Sequence, residues 1–225
     1  MELMEESEVV LLGWQLSMFG ARVRIALAEK GIKYEYKEEV LPHDKSYLLL
    51  KFNPVHKKIP VLIHKGRPVC ESKIIVEYID EVWKGESPLL PSDAYLKSKA
   101  KFWADYIDKI SEVGMKLIRG SKGEEMQIAG QELLECLKVL DCELGEKQYF
   151  IGETFGFVDI ALMSYYHHFY TYETLGSFSV KNDCPKLFAW ATKCMERESV
   201  SNTLPCPLKI YEAAIIFRLS IGLKD

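Results

Sequence analysis

Through residue 83 the apolar positions fall into short runs and helical stripes that alternate along the chain. Val9-Val10-Leu11-Leu12 is an apolar run of strand length, suited to burial on both faces. Ala21 to Lys30 reads as a helix. Phe19, Val23, Ala26 and Leu27 share one of its faces, and Gly31 supplies the stop. Tyr34-Glu35-Tyr36-Lys37 alternates as a second strand, and a helix over Lys45 to Phe52 ends at Asn53-Pro54. Ile59 to His64, Lys65-Gly66 and Arg67 to Cys70 read as a hairpin, with Gly66 where a tight turn needs positive φ. Pro68 restricts its strand to an edge or a bulge. Glu71-Ser72 opens a helix that carries Ile74, Ile75, Tyr78, Ile79 and Val82 on one face. The order βαβ-α-ββα predicts a small mixed sheet covered by helices.

Lys84 to Asp93 breaks this pattern with two prolines, a glycine and two serines in ten residues. Beyond it helical spacing dominates, and no proline occurs between Pro91 and Pro185. Phe102, Tyr106 and Lys109-Ile110 form one stripe. Leu133, Leu137, Leu140 and Leu144, closed by Gly145, form another. The expected organisation is an α/β domain over 1–83, a linker over 84–93 and an all-helical domain over 94–225.

Composition narrows the function. The chain has 225 residues, 48% hydrophobic and 28% charged, which is ordinary for a folded protein. The net charge is −4, and neither half has a basic excess, which argues against nucleic acid as a partner. No apolar run is long enough to span a bilayer. The N-terminal Met1 to Glu8 is acidic where a leader would be basic, and the last four residues match no targeting tail. The six cysteines include no C-x-x-C, so the expectation is reduced thiols in the cytosol and no zinc. Adjacent His167 and His168 point about 100° apart on a helix, and no H-E-x-x-H occurs, so no metal site is expected.

Five blocks resemble one family. They are Arg22-Val23-Arg24-Ile25-Ala26-Leu27-Ala28-Glu29-Lys30-Gly31-Ile32 and Asn53-Pro54-Val55-His56-Lys57-Lys58-Ile59-Pro60-Val61-Leu62. Next come Cys70-Glu71-Ser72 with Ile74-Ile75-Val76-Glu77-Tyr78-Ile79-Asp80, and then Phe102-Trp103-Ala104-Asp105-Tyr106. Gly156-Phe157-Val158-Asp159-Ile160-Ala161-Leu162 is the last. In this order, over nearly the whole length, the chain resembles a plant tau-class cytosolic glutathione transferase. The resemblance implies a thioredoxin-like domain for glutathione, a helical domain for an electrophile, and a homodimer. The implied reaction is attack of the glutathione thiolate on an apolar electrophile.

The resemblance also assigns roles. Ser17 becomes the catalytic hydroxyl, although serine at that position also suits a helix cap. Ile59-Pro60 becomes a cis-proline loop that pairs with the cysteinyl part of glutathione. Ser72, at a helix N-terminus, faces the γ-glutamyl carboxylate, and Glu71 faces its ammonium. Lys45 and Lys58 face the glycyl carboxylate, and Phe19 joins the glutathione site. Asp159 is read as structural, its carboxylate accepting from the Gly156 N–H.

By family register the electrophile pocket uses Trp14, Glu112, Lys116, Arg119, His168, Ala213 and Phe217. Arg119, His168 and Glu112 stand where the family often has aromatics, so the pocket is expected to be more polar than usual and to suit carbonyl, hydroperoxide or anionic substrates. The helix near Tyr211 to Leu219 is expected to close over it. The leading function is conjugation, with peroxidase side activity. The alternative is a non-catalytic carrier of flavonoids, porphyrins or hormones. A thiol transferase would need cysteine in place of Ser17, and none occurs before Cys70.

Overall fold

The computed structural model describes residues 8–39, 45–85, 88–120 and 123–223. Residues 1–7, 40–44, 86–87, 121–122 and 224–225 lie outside the described residues, and with them most of the acidic Met1 to Glu8 stretch and part of the 84–93 segment. The chain divides into two compact units, 1–89 and 90–225.

The first unit holds β1 (Val9–Gly13), α1 (Met18–Glu29), β2 (Glu35–Glu38), α2 (Tyr47–Phe52), β3 (Val61–His64), β4 (Arg67–Cys70) and α3 (Ser72–Val82). The sheet runs β2-β1-β3-β4. β1 pairs parallel with β2, and the β1–β3 and β3–β4 pairs are antiparallel. Leu12, Val61 and Ile63 on one face meet Leu49 of α2 in a buried cluster. Leu11 and Leu62, paired across β1 and β3, project from the other face and are fully buried. Both turn residues of the β3–β4 hairpin, Lys65 and Gly66, have positive φ, and Pro68 stands on an outer strand.

Three sequence expectations shift. α1 starts at Met18, three residues early, because Ser17 caps it. α2 starts after Ser46, which places Lys45 ahead of the helix. The buried face of α3 is Ile75, Val76 and Ile79, while Ile74 and Val82 are exposed.

The second unit is α4 (Ala94–Ile107), α5 (Lys109–Arg119), α6 (Glu124–Leu144), α7 (Phe157–Met163), α8 (Tyr166–Gly176), α9 (Val180–Asp183), α10 (Pro185–Cys194), α11 (Glu198–Ser201) and α12 (Pro207–Ser220). The leucine stripe of α6 is buried as expected, and Gly145 follows at positive φ. The α4 expectation is corrected: Ala100, Ala104 and Ile107 are buried, and Phe102 is exposed, edge-on to Trp103. Small side chains let α4 approach its neighbours, which leaves Phe102 outside.

Glycine also sets the helix spacing. A Cβ at Gly130 of α6 would lie 2.7 Å from the Gly176 carbonyl oxygen of α8. α8 packs against α5, α6 and α12 at once. More than one of its faces is therefore buried, which explains why both His167 and His168 are inside, their ring centroids 4.4 Å apart. Among the described residues no group of three or more His, Cys, Asp or Glu is placed to hold a metal ion.

Candidate active site

Ser17 sits in the turn between β1 and α1, 7% exposed. Its Oγ accepts from the Gly20 N–H at 3.2 Å, which satisfies one free donor at the start of α1. Capping uses an oxygen lone pair and leaves the hydroxyl proton available to donate. A Cβ at Gly20 would come within 3.3 Å of both the Arg24 guanidinium and the Trp14 carbonyl, so glycine keeps this turn tight.

Two buried arginines, which sequence reasoning missed, organise the turn. Arg24 donates to the Gln15 carbonyl at 3.0 Å and reaches the Trp14 carbonyl at 3.5 Å. The Glu38 carboxylate takes the Gln15 N–H at 3.0 Å from the β2 side. Arg22 is 1% exposed and donates to the Ser72 Oγ at 2.9 Å, linking the helix that follows Ser17 to the start of α3. Its guanidinium also lies 5.7 Å from the Phe19 ring centroid. A charged residue in a helix reads as solvent-facing from sequence. The available signal was position: Gly20 to Leu27 is otherwise an apolar segment, and all eight residues are buried.

The Ile59-Pro60 peptide is cis. Pro60 is buried, and Ile59 packs against the α2–β3 cluster. Asn53, 3% exposed, holds the preceding loop from beneath. Its side chain donates to the Lys58 carbonyl at 2.8 Å and accepts from the His56 N–H at 3.1 Å. Lys58 is exposed, as is Lys45, and neither has a carboxylate partner among the described residues. Glu39 and Ser46 tie the strand end to the α2 start: Glu39 accepts from the Ser46 N–H at 3.1 Å and from its hydroxyl.

Glu71 caps α3 with φ 69° and ψ 116°, a backbone state that L-residues rarely adopt and that costs about 1–3 kcal/mol. Its carboxylate is exposed, 3.8 Å from His56 Nδ1. Ser72 is 6% exposed, in the first turn of α3.

The residues expected to contact the electrophile are less uniform. Trp14 lies in the first unit and the other six in the second. The Arg119 guanidinium lies 5.8 Å from the Phe217 centroid, so α5 and α12 bring these two together. Lys116 is paired with Glu132 of α6 at 3.0 Å on the exposed surface, which takes up its charge. Glu112 is exposed and Ala213 is partly buried. His168 is 7% exposed and stacks on Tyr172 at 5.8 Å.

Asp159 is fully buried and accepts three bonds: Gly156 N–H at 3.0 Å, Phe150 N–H at 3.2 Å and Trp190 Nε1–H at 3.0 Å. Burial raises its pKa to about 6 against the pull of these donors. Sequence reasoning anticipated only the first. Phe150 and Trp190 are brought to Asp159 by tertiary packing, which no local motif encodes.

A mixed four-stranded sheet with a cis-proline loop between α2 and β3, followed by a helical unit, defines the thioredoxin-like class with an added all-α domain. Comparison with known proteins narrows the class. Residues 7–81 match the family "Glutathione S-transferase, N-terminal domain", and residues 102–198 match "Glutathione S-transferase, C-terminal domain". A probable glutathione S-transferase parC of Nicotiana tabacum is 57% identical, covering 98% of this chain and 100% of its own. Glutathione S-transferase U25 of Arabidopsis thaliana is 54% identical, covering 96% and 98%. Among solved structures, rice GST1 in complex with glutathione superposes with TM-score 0.93 at 45% identity, over 97% of this chain and 100% of its own. The tau class glutathione S-transferase MiGSTU from mango gives TM-score 0.88 at 37% identity, over 94% and 99%. The chain belongs to the glutathione S-transferase family, and within it to the plant tau class.

Proposed function

We propose that this glutathione S-transferase is a serine-type enzyme in which Ser17 stabilises the glutathione thiolate as it attacks an electrophile. The observation that carries the reading is the Ser17 hydroxyl at the N-terminus of α1: its oxygen is engaged by the Gly20 N–H, and its proton has no acceptor among the described residues. A thiol with a pKa of about 8.5 is only a few per cent ionised at pH 7. A hydrogen bond to a charged acceptor contributes about 1.5–3 kcal/mol, or one to two pKa units. The α1 N-terminus adds about 0.3–1 kcal/mol. Together these make the thiolate abundant at neutral pH without a general base, and the hydroxyl itself need not ionise.

Glutathione is the co-substrate, as the neighbouring glutathione complexes support. Ser72 and the α3 N-terminus suit the γ-glutamyl carboxylate, and Glu71 suits its ammonium. The Ile59-Pro60 loop suits the cysteinyl backbone, and the free cations Lys45 and Lys58 suit the glycyl carboxylate. Phe19 stands beside Arg22 at this site. Of the electrophile residues, Arg119 and Phe217 form the best-defined pair, a cation on an aromatic face that suits a flat, electron-rich or anionic substrate. Asp159 acts in folding rather than chemistry. Peroxidase side activity, a homodimer and cytosolic residence complete the reading. The last is supported by six cysteines of which none is in a disulfide.

The test is conjugation of glutathione to chlorodinitrobenzene by wild type and Ser17→Ala, with glutathione binding measured on both. The expected result is a mutant that binds glutathione, loses about tenfold to hundredfold in rate at pH 7, and recovers part of that loss as pH rises toward the free thiol's pKa. An unchanged pH–rate profile would remove Ser17 from the chemistry.

A further inference from the structure

The second unit contains a pocket of about 120 Å³, enclosed by α8, α9, α10 and the start of α12, that the conjugation reading does not use. Four aromatic rings line it, those of Tyr166, Phe169, Tyr170 and Phe188, together with one carboxylate, Glu173. Tyr166 and Phe169 meet edge-to-face at 5.8 Å. Tyr170, at the exposed rim, is braced edge-to-face by Tyr211 at 5.6 Å. The rings are therefore fixed by their neighbours rather than free to collapse into the space.

Glu173 is half-buried. One of its oxygens accepts from the Val180 N–H at 2.7 Å, at the start of α9. Burial raises its pKa, and the hydrogen bond from the Val180 N–H opposes this. The Lys181 ammonium lies 5.9 Å from the Phe188 ring centroid and makes no ion pair with Glu173. A carboxylate oxygen is thus held among aromatic faces with no ion-pair partner among the described residues. Aromatic faces attract cations, and a half-desolvated carboxylate gains most from a charged donor.

We propose that this pocket binds a small organic ammonium ion, its charged nitrogen on Glu173 and its ring or alkyl group among Tyr166, Phe169, Tyr170 and Phe188. At about 120 Å³ the pocket is smaller than the cavity of about 150 Å³ that holds benzene, so a single ring with its side chain reaches out past the exposed Tyr170 rim. An anion is repelled by Glu173, and a neutral apolar molecule leaves the carboxylate with the Val180 N–H and no charged donor. The site lies wholly within the second unit, whereas Ser17 and the residues assigned to glutathione lie in the first. It is therefore independent of the serine mechanism.

The experiment is calorimetric titration of the full chain at pH 7 with phenethylammonium chloride, with its neutral analogue 2-phenylethanol, and with phenylacetate. The ammonium is expected to bind with a Kd of about 1 mM or below, at least fivefold tighter than the alcohol, and phenylacetate is expected not to bind. Saturating glutathione should leave the ammonium affinity unchanged. Glu173→Gln keeps an acceptor for the Val180 N–H and should weaken the ammonium at least fivefold while leaving the alcohol as it was. Equal affinity for ammonium and alcohol, no ammonium binding, displacement by glutathione, or an unaffected Glu173→Gln would each overturn the assignment. Should Glu173→Gln fail to fold, the comparison of the two probes on the wild type decides alone.

Discussion

Arg218 of α12 donates to the Gly120 carbonyl at 3.0 Å, closing the C-terminal end of α5 from a helix 98 residues further along the chain. The same Nη1 reaches the Ile118 carbonyl at 2.8 Å, and Nη2 contacts the Met126 sulfur at 3.7 Å. Arg218 is fully buried, and its donors meet carbonyl dipoles at a helix end, where a cation is favoured. The bond fixes α12 to α5 one residue from each member of the Arg119–Phe217 pair.

Replacing Arg218 by Met keeps the apolar stem and removes the donors. Hydrogen bonds from a charged group contribute about 1.5–3 kcal/mol each, and the abandoned carbonyls are buried. A loss of about 2–4 kcal/mol is expected, seen as a fall in Tm of about 5–15 °C. Calorimetry checks it. A shift under 2 °C, about the least that 1 kcal/mol gives in a chain of this size, would show that water replaces the guanidinium at no cost.

Asp159 gives stability a pH dependence of unusual sign. Its folded pKa, about 6, lies above the 3.8 of a free carboxyl, so the native state holds the proton longer than the unfolded one. Stability from this group is greatest below the unfolded pKa and falls as pH rises from about 4 through 6, by about 3 kcal/mol in all. Denaturant titrations of wild type and Asp159→Asn at pH 4, 5, 6 and 7 should differ in slope, the variant lacking that decline. Asp159→Ala leaves the buried Phe150 and Trp190 donors and the part-buried Gly156 N–H without their acceptor and should cost about 4 kcal/mol or more.

Gly130→Ala tests the α6–α8 approach. Alanine gains about 1 kcal/mol of helix propensity over glycine. The new methyl would meet backbone atoms of Gly176 at 2.7–2.8 Å, which no rotamer change relieves. Overpacking of about 1–3 kcal/mol should win, leaving a net destabilisation. A stabilised variant would mean that the two helices separate freely.

Ser72→Ala separates binding from chemistry. It removes the hydroxyl that accepts from Arg22 and that faces the proposed γ-glutamyl carboxylate. KM for glutathione should rise about tenfold with kcat little changed, the pattern of lost uniform binding. A loss confined to kcat would move Ser72 into the chemical step.

The order of elements was readable because each carries its own local signal: Gly31 as a stop, Lys65-Gly66 as a turn, the α6 leucines at helical spacing. What sequence did not disclose is long-range polar closure. Arg22 on Ser72 and Arg218 on α5 join elements far apart in the chain, and Arg24 turns back onto the Trp14 and Gln15 carbonyls just ahead of its own helix. An arginine's sequence neighbours say whether it lies on a helix, but not that a distant carbonyl or hydroxyl makes its burial affordable. The exposure of Phe102 failed to show for a related reason, since the small Ala100 and Ala104 take the close contact in place of a larger apolar side chain, and on α3 the core is filled by Ile75, Val76 and Ile79, which leaves the adjacent Ile74 outside.

The two outer strands of the sheet have a consequence for life at high concentration. β2 is Glu-Tyr-Lys-Glu, and β4 opens with Arg67 and Pro68. A flat edge of unpaired N–H and C=O groups is a template for strands of other molecules, and charge or proline at the edge spoils it. One margin here carries three charges in four residues, and the other lacks an N–H at Pro68. Both refuse a fifth strand, so crowding should not drive neighbouring copies into edge-to-edge polymers.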